Sequence, residues 1–284
     1  MKKIVWLASY PKSGNTWMRI LLTNYLSGSP EPADINNLVT EAISSSRHFI
    51  EKFLDLNTSE LDLTMIDRYR PDVFRAFAQE TSSKEAFIKA HEKYYNNSEG
   101  HPIFPTDATK AVVYIARDPR DVSLSYADHL GYTVDQTIQF MNEPDTLKKN
   151  NLNRWNQQFE QPMGNWSEHV TSWTEQTELP VIMVRYEDLL AQPLHQFKRV
   201  IEGIGFQWDE AAGNKAVAFS SFQQLKEQEQ TKGFLEKSAH SKAFFRSGVT
   251  GGWIGKLTPD QANRVWQAHQ TVMQKLGYHQ EDQD

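Results

Sequence analysis

Hydrophobic positions along the chain fall into two kinds of run that alternate. Lys3 to Ala8, Ala86 to Ala90, Ala111 to Ala116 and Val181 to Arg185 are short, nearly continuous apolar stretches with the length and β-branched content of buried strands. Between them the period lengthens. Trp17, Leu21 and Tyr25, with Met18, Leu22 and Leu26, recur at helical spacing over Asn15 to Leu26, and Gly28 and Pro30 close that helix. Asp118 can cap a second helix, with Pro119 in its first turn and Asp121 near its positive end. Further helices are predicted over Pro193 to Ile204 and over Pro259 to Leu276, the latter capped by Thr258. Residues 31–85 are polar and weakly periodic, helical in pieces such as Asp72 to Gln79. Residues 96–109 read as a loop, and residues 131–165 as a mixture of helix and loop. Strands alternating with helices predict an α/β fold with a mainly parallel central sheet flanked by helices. With no internal repeat and no low-complexity linker, 1–284 reads as a single domain.

Composition narrows the chemistry. The 284 residues are 39% hydrophobic and 23% charged, enough for a full core, and 12% aromatic with eight Trp. Thirty Lys+Arg against 36 Asp+Glu leave a net charge of −6, which argues against a broad nucleic-acid surface and makes any phosphate site compact. The absence of Cys excludes disulfides, thiolate metal sites and Cys nucleophiles. The apolar run after Met1-Lys2-Lys3 is too short for a signal peptide, and no stretch approaches the ~20 apolar residues of a membrane helix. The expectation is a cytoplasmic protein that binds neither membrane nor nucleic acid.

The strongest local signal is strand, then Ser9-Tyr10-Pro11-Lys12-Ser13-Gly14-Asn15-Thr16-Trp17, then helix. A Gly-containing turn feeding a helix N-terminus offers free N–H groups and the positive dipole end to an anion. Aligned on Gly14 and Thr16, the segment departs from G-x-x-x-x-G-K-[ST]: Asn15 stands where the lysine belongs, and the lysine has moved to position 12. Such a loop is poorly arranged for β- and γ-phosphates with Mg²⁺, yet suits one phosphate-like group with an ammonium aimed at it. An ordinary strand-to-helix turn with a solvated Lys12 is the competing reading. Arg117, ending the best strand, offers a planar fork to a phosphate, and Ser125 lies roughly 9 Å along the following helix. Pairing of Arg117 with Asp118 or Asp121 is the alternative there. Lys89-Ala90-His91 closes another strand with an imidazole suited to taking a proton at neutral pH.

These segments, with Val184 to Leu189, Ser220-Ser221-Phe222 and Phe245 to Trp253, resemble the motifs of the PAPS-dependent sulfotransferases, PAPS being 3′-phosphoadenosine-5′-phosphosulfate. The likeness implies a P-loop-like phosphosulfate-binding loop of Lys12, Ser13, Gly14, Asn15, Thr16 and Trp17. It implies a 3′-phosphate clamp of Arg117, Ser125, Arg246, Ser247 and Gly248, and an adenine pocket of Tyr186, Ser220 and Phe222. Trp17 and Phe222 would sandwich the purine, worth about 1–3 kcal/mol per stacked base. It further implies His91 as general base, with Lys12 and Lys89 stabilising charge on the leaving oxygen. The chain departs from the family pattern at Asn15 (usually Thr), at Glu92-Lys93 (often Leu-Pro), at Ser247 (Lys) and at Gly252 (Asp). A neutral Ser247 predicts a weaker clamp. The family's dimerisation motif is not visible around Lys256 to Thr258, so a monomer, or a dimer through another surface, is expected.

The expected activity is sulfonate transfer from PAPS to a hydroxyl or amine of a small-molecule acceptor, releasing adenosine 3′,5′-bisphosphate, with no metal. The alternatives are a P-loop kinase using ATP and Mg²⁺, which Asn15 disfavours, and a catalytically weak nucleotide-binding protein, suggested by Ser247 and Gly252. The acceptor pocket falls to segments 30–85 and 128–165.

Overall fold

The computed structural model describes residues 3–148 and 157–280. In chain order the elements are β1 (Ile4–Ser9), α1 (Asn15–Ser27), β2 (Thr40–Ile43), α2 (Arg47–Leu54), α3 (Leu63–Glu80), β3 (Ala86–Ala90), β4 (Thr109–Ala116), α4 (Pro119–Leu130), α5 (Val134–Asn142), β5 (Leu147–Lys148) and β6 (Gln161–Pro162). They continue with α6 (Trp166–Thr174), β7 (Val181–Arg185), α7 (Tyr186–Ala191), α8 (Pro193–Gly203), α9 (Glu210–Phe219), α10 (Phe222–Lys232) and α11 (Pro259–Lys275). The chain divides into two compact units. Unit 1 comprises Met1–Tyr10, Thr40–Tyr114 and Pro144–Met183; unit 2 comprises Pro11–Val39, Ile115–Glu143 and Val184–Asp284.

Unit 1 carries a parallel sheet in the order β2-β3-β1-β4-β7, the last two residues of β4 and of β7 leading the chain into unit 2. The four predicted strands are present. The fifth, β2, falls in the stretch read as polar and partly helical. It is a half-buried edge strand, paired with β3 through an irregular register, so it lacks the continuous apolar run that marks its neighbours. β1 is buried at all six positions and pairs with β3 from Ile4↔Ala86 to Ala8↔Ala90. Its Trp6 packs edge-on against Phe74 at 4.8 Å and Phe104 at 4.9 Å, and its indole N–H donates to Thr109 Oγ1 at 2.9 Å. The connection leaving β1 leads to β2 on one side, whereas that leaving β4 leads to β7 on the other. The strand order therefore switches between adjacent β1 and β4, the place where open α/β sheets bind ligands at their carboxyl ends.

In unit 2 the predicted caps are realised. Asp118 accepts from Arg120 N at the start of α4, and Thr258 forms a reciprocal capping box with Gln261 at the start of α11. α1 ends at Gly28 in the left-handed conformation. Ile20, Ile35, Leu225, Phe234 and Phe245 form an apolar cluster flanked by Trp17, Phe222 and Phe244. That cluster anchors α1, α10 and the segment that begins at Phe245, three of the predicted binding segments.

Candidate active site

Within unit 2 the loops that follow β1 and β4 meet. Lys12 has φ of 68° and Gly14 φ of 106°, left-handed positions of the kind from which anion-binding backbone nests are built, in the turn before α1. A non-glycine residue in the left-handed region costs on the order of 1 kcal/mol or more. The Lys12 ammonium lies 4.0 Å from the centre of the Phe244 ring, a contact worth about 0.5–2 kcal/mol. Asn15 and Thr16, at the N-terminus of α1, are buried. The Ser13 hydroxyl is fully buried and makes no hydrogen bond to any described residue. An orphaned buried hydroxyl is costly unless a ligand engages it, and this one sits in the turn that leads into the N-terminus of α1.

Arg117 leaves β4 directly beside this turn. Its Nη1 donates to Lys12 O at 3.4 Å, its Nη2 donates to Val249 O at 3.2 Å, and the guanidinium lies 4.3 Å above the Tyr186 ring. Arg117 also pairs with Asp121 at 3.5 Å, as the alternative reading of the motif had it. A guanidinium fork can serve several acceptors at once, so this pairing leaves donors for a further anion. The Tyr186 ring in turn closes the space above Gly14, where a Cβ would stand 2.8 Å from Tyr186 Cδ2. Trp17 meets Tyr186 edge-on at 5.7 Å, and its indole N–H donates to Ser220 O at 2.9 Å. Gly248, with φ of 60°, lies under Phe222: a Cβ there would come 2.4 Å from Phe222 Cδ2. Phe222 thus belongs both to the edge of the apolar cluster and to the glycine turn.

One expected adenine-pocket residue and one expected clamp residue, Ser220 and Arg246, are engaged by other protein groups. The Ser220 hydroxyl accepts from Asn24 Nδ2 at 3.1 Å and is buried, so this residue orients Trp17 through its carbonyl while its side chain ties α1 to the C-terminal end of α9. Arg246 is ion-paired with Asp128 at 3.1 Å, because that carboxylate projects from the last turns of α4. Ser247 is exposed and Ser125 half-buried on α4. Among the described residues no group of three or more His, Asp or Glu stands ready to hold a metal ion.

Within unit 1, Lys89 and His91 lie two residues apart and so share one face at the end of β3. His91 is held at three points. Its ring Nδ1 donates to Ser9 O at 2.9 Å, its backbone N–H donates to Glu92 Oε2 at 3.1 Å, and its carbonyl accepts from His169 Nε2 at 3.0 Å. A backbone carbonyl only accepts, so Nδ1 carries the proton and the neutral ring presents Nε2 as its basic nitrogen. Burial, reinforced by the positive charges of Lys89 and Lys148 and by His169, and only partly offset by the Ser9 hydrogen bond, pushes the imidazole well below its ordinary pKa. His169, pushed down to about 4 by burial, is neutral, and accepts from the Tyr114 hydroxyl at 2.9 Å.

The helix that supplies His169 was not anticipated, although Asn165-x-x-Glu168 is a capping-box signature and His169 and Trp173 share its inner face. Nor did the sequence reading single out Glu92 as an anchor. Its buried carboxylate accepts from Arg70 Nη2 at 2.6 Å and from Ser44 Oγ at 2.6 Å, and its carbonyl accepts from Trp173 Nε1 at 2.9 Å. Phe244 and Lys148 were missed as well; neither sits in a motif segment.

A family model described as Sulfotransferase domain matches residues 2–277. Cytosolic sulfotransferase 1 of Arabidopsis thaliana is 27% identical over 278 residues, covering 91% of this chain and 75% of its own length. Sulfotransferase 1A1 of Bos taurus is 30% identical over 174 residues, 57% of this chain and 54% of its own length. Among solved structures, mouse sulfotransferase SULT7A1 complexed with PAP matches with a TM-score of 0.59 at 20% identity, over 96% of this chain and 85% of that one. Retinol dehydratase in a complex with retinol and PAP matches with a TM-score of 0.63 at 17% identity, over 96% and 82%. At these identities the two structures establish the shared fold.

Proposed function

The chain belongs to the sulfotransferase family, and from that premise we propose that it moves a sulfonate group from PAPS to the hydroxyl or amine of a small-molecule acceptor. The observation that carries this reading is the anion turn of unit 2. Its lysine lies inside the turn at position 12, Asn15 replaces the lysine of nucleoside-triphosphate loops, and the Ser13 hydroxyl is buried without a hydrogen-bond partner among the described residues. The family model spans both units, which supports reading 1–284 as one sulfotransferase domain. The cytosolic relative, and the finding that no described helix is long and apolar enough to cross a membrane, support a cytoplasmic location.

PAPS supplies the transferable sulfonate, and the residues of unit 2 bind and orient it. Ser13 to Trp17 donate from the turn and the first turn of α1, and Lys12 neutralises charge growing on the leaving oxygen. Arg117, Ser125, Arg246, Ser247 and Gly248 hold the 3′-phosphate, which requires Arg246 to exchange Asp128 for phosphate. Trp17, Tyr186 and Phe222 enclose the adenine, with Ser220 positioning Trp17. In unit 1, His91 Nε2 takes the acceptor proton and Lys89 supports the developing negative charge.

Calorimetric titration with adenosine 3′,5′-bisphosphate in EDTA, with ADP for comparison, tests the reading. Metal-free binding of the bisphosphate, with ADP at least tenfold weaker, is the expected result. Preference for ADP, or binding only after Mg²⁺ is added, overturns it in favour of a kinase. Gly14→Ala in the same titration is expected to weaken bisphosphate binding by at least about tenfold, since the new methyl meets the Tyr186 ring in a backbone conformation that L residues resist.

A further inference from the structure

The base candidate of unit 1 stands beside two cations, of which one belongs to no cofactor motif. Lys148 lies on β5, opposite Gln161 of β6 in an antiparallel ladder. Gln161 Nε2 donates to Ser45 Oγ at 2.6 Å in the loop after β2, and Pro162 O accepts from Lys93 N at 2.9 Å, two residues beyond His91. The ladder is thereby pinned to the exits of β2 and β3, which brings the half-buried Lys148 to the residues around the base. Its ammonium is desolvated and repelled by Lys89, and both conditions lower its pKa.

Glu92 attracts Lys148 but is committed elsewhere. It is fully buried, one oxygen takes Arg70, and the other takes Ser44 and the His91 N–H. A desolvated cation beside a second cation, with its neighbouring carboxylate saturated, gains most when an anion arrives. Lys89, by its motif, serves the phosphosulfate end. Lys148 comes from the segment to which the sequence assigns the acceptor.

We propose that Lys148 recognises a negatively charged group on the acceptor, so that the substrates are hydroxylated or aminated organic anions, an alcohol, phenol or amine that also carries a carboxylate or phosphate. The proposal rests on the sulfotransferase reading. For a hydroxyl acceptor, the oxygen forms its bond to sulfur as the bond from sulfur to the phosphate oxygen breaks, its electron pair leaving with the bisphosphate. The proton goes to His91 Nε2, and the acceptor's anionic group keeps its charge throughout.

The experiment uses matched pairs: 4-hydroxyphenylacetate against its amide, tyrosine against tyrosinamide, and 4-hydroxyphenyl phosphate against hydroquinone. Each is titrated into the protein loaded with adenosine 3′,5′-bisphosphate and assayed for transfer with PAPS. The anionic member of at least one pair is expected to win by about tenfold or more in affinity and in kcat/KM. Lys148→Met should bring that ratio towards one, and Lys148→Arg should retain it. Ties in every pair, or a ratio unchanged in Lys148→Met because both members lose equally, overturn the proposal; the latter result would place Lys148 on the transferred sulfonate. Thermal unfolding of Lys148→Met, with Lys148→Arg as the charge-retaining control, separates a folding defect from lost recognition. Failure of the wild type to bind the bisphosphate at all would instead sink the sulfotransferase reading.

Discussion

Replacing His91 by Ala is expected to lower kcat/KM for sulfonate transfer by about 10²–10⁴-fold, the usual contribution of a positioned base. Affinity for adenosine 3′,5′-bisphosphate, measured by calorimetry, should stay within about twofold, because the residues proposed to bind the nucleotide belong to unit 2. Ordinary turnover in the variant would remove His91 from the mechanism. As the proposed base, His91 is expected to set the pH dependence as well. Only the neutral ring accepts a proton, and burial with Lys89, Lys148 and His169 holds its pKa well below the ordinary imidazole value of about 6.5. Activity is therefore retained as pH falls through 6.5 and is lost only further into acid. Lys148→Met removes a like charge, raises the His91 pKa and should shift the acid limb to higher pH. A limb that stays in place means that another group titrates.

The second large effect concerns stability. Arg70 and Glu92 are both fully buried and bonded at 2.6 Å, and Arg70 also donates to Asp67 Oδ1 at 3.1 Å and to the Tyr95 hydroxyl at 3.1 Å. Arg70→Met strands the Glu92 carboxylate and part of the Asp67 network away from water, which is expected to cost about 3–5 kcal/mol in denaturant unfolding. Arg70→Met/Glu92→Leu removes both charges and places at 92 the residue type that the family resemblance associates with that position. Most of the lost stability should return, since replacing a buried pair by apolar groups is often neutral or favourable. If the double variant is as unstable as the single one, the pair is not what holds this region together. Stability and catalysis meet here, because Glu92 also fixes the backbone N–H of His91.

Helices and buried strands were legible wherever one short-range cause dominated. The β1 and β4 runs are apolar because both faces are covered, and α4 and α11 begin where Asp118 and Thr258 can cap them. β2 and α6 escaped because their burial is partial or their cue is a cap rather than an apolar run. The same division holds for the candidate site. Lys12, Gly14, Arg117 and His91 declare themselves at strand ends or turns, where a few adjacent residues determine backbone shape and exposure.

The sequence by itself determined the strand-turn-helix around Lys12 and Gly14, the placement of Lys89 and His91 at the end of β3, and the family. The first two follow from periodicities and turn chemistry spanning fewer than about ten residues, and the family from the resemblance of whole motif segments. Only tertiary structure decided the tautomer of His91, which depends on the Ser9 carbonyl 82 positions away, and the saturation of Glu92 by Arg70, 22 positions away. It likewise brought Phe244 over Lys12 and Lys148 towards the base. Such pairings arise from how strands stack into a sheet and loops fold over its edge. The partners are distant in sequence and no local pattern encodes them, because each is stabilised by desolvation and geometry that exist only once the chain has packed.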